Sequence, residues 1–257
     1  MLLMRSSLSR ATGSRRFGVR ASIAAAAIVA STLTGMTTSV AATESEVPTV
    51  QEYVAWLKKQ KTAEADQIAE QFTALSAGNQ QKFLNYLANP EVVKALAGEQ
   101  GDADTAIAPN ATSITTKLAG GDVVTTVGAE AAPTTVGAEA APMATAAKAV
   151  DWKCSYWINQ KVLGIEVTRH TLTQWYRANS TKVTKVYVAS ATHKNLNPGV
   201  SVDNQPEDQW ISAAGNALAY VTWNVDFIFK GSEIHLDKRQ HLRCDETGFR
   251  YGSIKNP

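Results

Sequence analysis

The sequence predicts a mainly β C-terminal domain, an antiparallel sandwich or barrel, behind a short α-helical segment and a disordered linker. Three observations carry this reading. Asn216 to Lys230 (NALAYVTWNVDFIFK) alternates with a period of two along its whole length. Six or seven runs of strand character fall between Asp151 and Pro257 with no helical period between them. The chain has two cysteines, Cys154 and Cys244, and both lie in that region.

The first 42 residues carry five arginines and no acid, an apolar run from Ala21 to Ala30, and Val40-Ala41-Ala42 as a small-residue cleavage site. These are the three parts of a secretory signal, so the protein is predicted to be secreted. Ser31, Thr32, Thr34 and Gly35 make the stretch too polar for a membrane span. Arg15-Arg16-Phe17 resembles a twin-arginine signal, but the residues around the pair fit an ordinary basic n-region better. Without this segment the chain has 20 basic and 23 acidic residues, a net charge of −3. That balance points to neither a nucleic-acid partner nor a membrane surface.

Residues 43–98 read as helical. Val50, Tyr53, Val54 and Leu57 recur at helical spacing, and Thr62 caps a second helix holding Ala65, Ile68, Ala69, Phe72 and Leu75. Gly78 is predicted to stop it. Phe83, Leu84 and Leu87 share a side of the next helix, and Asn89-Pro90 opens a last turn that Gly98 ends. About 50 residues bury little core alone, so the segment is expected to dock on the β domain or on a partner.

Residues 99–150 shift to Ala, Gly, Thr and Pro, and the unit TTVGAEAAP occurs at Thr125–Pro133 and again at Thr134–Pro142. Such a duplication marks a tolerant linker. A hairpin is predicted inside it, Ile114–Leu118 and Val123–Val127 about the turn Ala119–Asp122.

Residues 151–257 are predicted as the β domain. Strand alternation appears around Trp152–Trp157, Leu163–Thr168, Leu172–Arg177 and Val183–Ser190. An irregular connection, Asn195–Gln209, is marked by Pro198, Gly199 and Pro206. Then come the long alternating strand, a turn at Gly231-Ser232, a strand from Glu233 to Cys244 and a last one from Phe249 to Ile254. An even cysteine pair in an exported chain predicts a Cys154–Cys244 disulfide. Closing that loop is worth about 4–5 kcal/mol by loop entropy, before strain is counted.

The strand from Glu233 to Cys244 carries the sharpest functional signal. Its odd positions His235, Asp237, Arg239, His241 and Arg243 are predicted to line a cationic outer face able to hold an anionic polymer or a carboxylate-bearing partner. The plain alternative is the solvated side of a half-buried sheet. Trp157, Tyr176 and Trp210 are predicted to be exposed aromatics that stack on sugar rings or anchor a protein, against the alternative of cross-strand packing. His235 and His241 share a face but lie about 20 Å apart on a strand, and His170 and His193 lack ligand spacing, so no metal is expected. Asp203, Glu207 and Asp208 give the long connection an acidic tip without the frame of a glycosidase or calcium loop.

Gly-x-Ser-x-Gly, His-Glu-x-x-His, Gly-rich phosphate loops and Cys-x-x-Cys are absent, so neither a catalytic residue nor a cofactor is expected. A triad assembled only in space, using His170 or His193, is the remaining enzymatic reading.

Lys161–Thr168 (KVLGIEVT), Ala119–Val123 (AGGDV) and Asp237–Gln240 (DKRQ) carry a resemblance to secreted actinobacterial proteins of unassigned function. Those are built as signal peptide, helical segment, Ala/Thr-rich linker and β domain. The resemblance implies export and no activity. The expected function is a non-enzymatic binding or structural protein of the cell envelope or extracellular space. Its partner would be a cell-wall polymer, a glycan or another secreted protein. The alternative is a secreted antagonist, a protease inhibitor or small toxin, with Asn195–Gln209 as its working loop.

Overall fold

The structure is a computed structural model and describes residues 47–96, 105–107, 113–134, 149–229 and 232–257. The predicted signal, Gly98, the second repeat beyond Thr134 and the first residue of the 231–232 turn lie outside them. Among the described residues come four helices, α1 (Val50–Gln60), α2 (Ala63–Thr73), α3 (Ala77–Leu87) and α4 (Pro90–Leu96). Eleven strands follow: β1 (Thr105–Ile107), β2 (Ser113–Leu118), β3 (Val123–Thr134), β4 (Val150–Val162), β5 (Ile165–Ala178), β6 (Val183–Asn195), β7 (Val200–Asn204), β8 (Asp208–Ile211), β9 (Ala217–Phe229), β10 (Ser232–Asp245) and β11 (Gly248–Lys255).

The strands form two antiparallel sheets. One runs β1-β11-β10-β9-β7, with β8 also on β9, and the other runs β2-β3-β4-β5-β6. The predicted fold class is therefore present, as a sandwich-like pair of sheets behind helices. Alternation decides which side of β9 is covered: Ala217, Ala219, Val221, Trp223, Val225 and Phe227 are all buried between the sheets. From the facing sheet come Val127, Cys154, Tyr156, Ile158 and Leu172. The Cys154–Cys244 disulfide crosses this core from β4 to β10, tying the sheets together over 90 residues of chain.

Two polar residues interrupt the inward row of β10, and both are satisfied. The Trp223 indole donates to Gln240 Oε1 at 2.7 Å, and Gln240 Nε2 donates to the Tyr156 carbonyl on the other sheet at 2.7 Å. Lys238 Nζ donates to Asn256 Oδ1 at 2.6 Å. Buried polar groups are tolerated when their bonds are made.

The helices share a second core with one end of the β2–β6 sheet. Tyr53, Leu57, Ile68, Phe72, Phe83 and Leu84 pack with Val123, Val162, Ile165, Val167 and Leu196. Three polar ties fix the docking: Tyr53 hydroxyl to the Leu196 carbonyl, Asn197 Nδ2 to the Leu87 carbonyl, and Gln160 Nε2 to the Val92 carbonyl, at 2.8–3.0 Å. Thr49 and Thr62 cap α1 and α2. Gly78 does not stop a helix: Ser76 caps α3, and Gly78 sits in its first turn.

The predicted hairpin forms as β2–β3, turning through Ala119, Gly120 and Gly121, all at positive φ. The linker reading of 99–150 needs correction, because β3 continues to Thr134 and pairs β4 throughout. Its small residues match large neighbours. Gly128 opposes Trp157, whose ring a Cβ at 128 would strike, and Ala129 opposes Tyr156. Pro133 lies beyond Gly128, the last β3 residue paired to β2 among the described residues, so its missing N–H breaks no described ladder bond on that side. Asn195–Gln209 is also more ordered than expected: it contains β7, paired to β9 from Val200↔Phe227 to Asn204↔Trp223.

Candidate functional site

The outward row of β10 meets the even residues of β9 and the odd residues of β11. Register sets Asp226 opposite His235, Asn224 opposite Asp237, Thr222 opposite Arg239, Tyr220 opposite His241 and Leu218 opposite Arg243. Across the other edge, Lys255 opposes Arg239, Ser253 opposes His241 and Tyr251 opposes Arg243. This register divides the row predicted to line a cationic face.

At its N-terminal half the charge is balanced. The His235 ring contacts Asp226 through Nδ1 and Asp237 through Nε2, while Asp237 also accepts from Asn224 Nδ2. The Asp226 hydrogen bond and then Asp237 raise the His235 pKa above its ordinary value. A histidine engaged on both nitrogens has no donor left for a ligand, so His235 leaves the candidate set.

The C-terminal half is cationic and aromatic. The Arg239 guanidinium lies over the Tyr220 ring at 4.8 Å and donates through Nε to Thr222 Oγ1 at 3.3 Å. The remaining guanidinium nitrogens of Arg239 make no ion pair among the described residues. Arg243 and Lys255 likewise have no hydrogen bond or ion pair there. Trp210, carried by β8, meets Tyr220 edge-on at 5.9 Å, and Tyr220 lies 5.9 Å from the His241 ring. The Tyr220 hydroxyl bonds Asp208, which raises its pKa and holds the phenol as a neutral donor. Trp210 is 42% exposed and Tyr251 38%. His241 is pushed below its ordinary pKa, first by burial and then by Lys255 and Arg239.

Comparison with protein-family models, with curated proteins and with solved structures finds no match to this chain. The functional reading therefore rests on the geometry of the chain itself.

Of the residues singled out in the sequence, Arg239, His241, Arg243 and Trp210 come together on one face. Trp157 does not join them. It lies on the outer face of the opposite sheet, flat over Gly128 with the Arg169 guanidinium 4.8 Å above its ring. Tyr176 is a correction: its side chain is fully buried and its hydroxyl donates to the Asp245 carbonyl at 2.7 Å. Tyr176 has the same inward parity along β5 as the buried His170, Leu172 and Gln174, and the register shift beside it places its extra residue, Tyr187, on β6. Tyr220, Tyr251 and Lys255 complete the face and were missed. They sit on neighbouring strands, and only the cross-strand register brings them beside β10.

His170 and His193 are cross-strand partners flanking Trp223, with ring centroids at 4.8 and 6.2 Å. Burial and the neighbouring His193 push His170 down to about 3, and its Nε2 has no hydrogen-bond partner. It is a neutral imidazole in the core, packed against Trp223. Among the described residues no three His, Cys, Asp or Glu side chains are grouped to hold a metal ion. A depression of about 560 Å³ between the β5–β6 and β8–β9 turns is lined by Lys182, Ile211 and Gly215 among others, with no acid, histidine or cysteine.

Proposed function

We propose that this is an exported, non-enzymatic binding protein that holds an anionic, sugar-bearing polymer of the cell envelope on the outer face of β8–β11. The observation that carries the reading is the row Trp210–Tyr220–Arg239/His241, in which aromatic rings meet edge to face and a guanidinium is stacked with most of its donors unused. Flat aromatic surface takes sugar rings, and unpaired cations supply charge-assisted hydrogen bonds to an anion. The acid on this half of the face, Asp208, is bonded to Tyr220, while Arg239, Arg243 and Lys255 make no ion pair among the described residues, which favours a polyanion over a neutral ligand. Export is supported by the basic and apolar pattern of the first 42 residues. The disulfide is compatible with an oxidising compartment. The antagonist reading loses its motive, because Asn195–Gln209 is partly built into the sheet.

Retention on purified cell walls tests this. Arg239→Ala with Arg243→Ala is expected to reduce retention about tenfold or more, while Trp157→Ala, on the opposite sheet, leaves it unchanged. Equal retention of wild type and the double variant would remove the assignment.

A further inference from the structure

We infer that the anionic group taken by this face is a phosphodiester of the envelope polymer, seated between Arg239 and Lys255 over Ser253 and His241, with Arg243 serving the next charge along the chain. The inference rests on the binding face proposed above and specifies its ligand chemistry.

Three observations lead here. Register places Arg239 directly opposite Lys255 on adjacent antiparallel strands. Like charges at opposed positions repel; the Arg239 guanidinium leans to β9 on Tyr220 and Thr222, and the nearby carboxylates are engaged elsewhere. Asp208 is bonded to Tyr220, Asp237 to Asn224 and His235, and Asp245 to Arg250. An external anion is the missing neutralising group. Below them lies the second observation. In the next row Ser253 opposes His241, Ser253 is 1% exposed, and both Ser253 Oγ and His241 Nε2 are buried without a hydrogen-bond partner. Buried polar atoms in native folds are ordinarily paired.

The third observation is the arrangement of the donors. Arg239 and Lys255 form one cross-strand pair, and His241 and Ser253 form the next pair on the same face, two residues along each strand. A carboxylate is best met by donors near its own plane, whereas a tetrahedral oxyanion accepts from several directions. Ser253 Oγ and His241 Nε2 are closed to solvent in the free protein, so seating the group on them requires the exposed side chains of Lys255 and Tyr251 to move aside. Arg243 stands two residues along β10 from His241, roughly 7 Å away, on the same row as the exposed Tyr251. Cation and ring therefore follow one another along the chain direction.

His241 adds a signature. The charged and titratable groups facing it are Arg239 and Arg243 on its own strand, Tyr220 with its Asp208 partner from β9 and β8, and Lys255 and Tyr251 from β11. Burial and the cations Lys255 and Arg239 disfavour its protonation in the free protein. A bound anion reverses part of that effect, so binding takes up a proton and tightens as pH falls.

The test uses the purified, oxidised protein on intact walls and on walls stripped of phosphodiester-linked polymer. Retention is expected on intact walls and lost on stripped ones. Inorganic phosphate should compete for it, and glucuronate at equal ionic strength should not. Lys255→Ala, a change at an exposed side chain, should weaken retention about tenfold. Wild type should bind more tightly at pH 5.5 than at pH 7.5, and His241→Gln should lose that difference while still folding. Equal retention on stripped and intact walls, or competition by glucuronate alone, would overturn the phosphodiester inference and leave the binding face standing. Retention on neither wall would overturn both.

Discussion

Trp223 and Gln240 share a hydrogen bond at the centre of the inter-sheet core, with the indole Nε1 donating to Oε1 at 2.7 Å. The same amide reaches across to the Tyr156 carbonyl on the facing sheet. One glutamine thus satisfies the largest buried side chain of β9 and a backbone group of β4. The polar break in the inward row of β10 is a cross-link between the sheets.

Gln240→Leu keeps the approximate volume and leaves an indole N–H and a carbonyl buried without partners. Each such group costs about 1–3 kcal/mol, so a loss of about 2–4 kcal/mol is expected in urea unfolding followed by tryptophan emission. An unchanged midpoint would mean that the pairing contributes nothing.

The helices and the β2–β6 sheet share one core, in which Phe72 meets Tyr53 edge-on at 5.0 Å and Phe83 at 5.2 Å. Phe72→Ala is expected to cost about 3–5 kcal/mol. Because Val162, Ile165 and Val167 belong to the same cluster, helix circular dichroism and tryptophan fluorescence should shift together in one transition. Helices melting ahead of the sheets would refute the shared core.

His170 makes the fold acid-sensitive. Burial lowers its folded pKa to about 3 from an ordinary 6.5. As pH falls below 6.5 the unfolded chain takes up a proton that the native state refuses, so stability is complete above that pH and declines toward pH 3. The loss from this residue is about 3 kcal/mol by pH 4. His241, also lowered, acts in the same direction. His235, raised by Asp226 and Asp237, acts oppositely: its contribution is present below pH 6.5 and disappears as pH rises through its folded value. His170→Phe should flatten the decline in thermal midpoint between pH 7 and 4. A variant as acid-sensitive as wild type would place the effect elsewhere.

Much of the architecture could be read locally. The alternation of Asn216–Lys230, the caps at Thr49 and Thr62, and the β2–β3 hairpin each follow from neighbours in the chain. The strand hidden in the Ala/Thr/Pro stretch could not, because Gly128, Ala129 and Ala131 look unconstrained until Trp157, Tyr156 and Cys154 are set against them. Tyr176 is different: it shares the parity of Leu172 and Gln174 along β5, so its inward side follows from local alternation. The candidate face was half legible: Arg239, His241 and Arg243 share a strand side by period alone, but the rings, acids and cations beside them belong to other strands.

From the residues alone follow the buried side of β9, the one disulfide two cysteines permit, and the helical and β character of the two regions. Backbone periodicity and covalent chemistry act within a few bonds and need no partner. Which half of the β10 row stays cationic was settled only when register set Asp226 and Asn224 beside its first half and Lys255 and Tyr251 beside its second. Pairing register is a property of segments distant in the chain, and electrostatic environment follows it because charges interact through space.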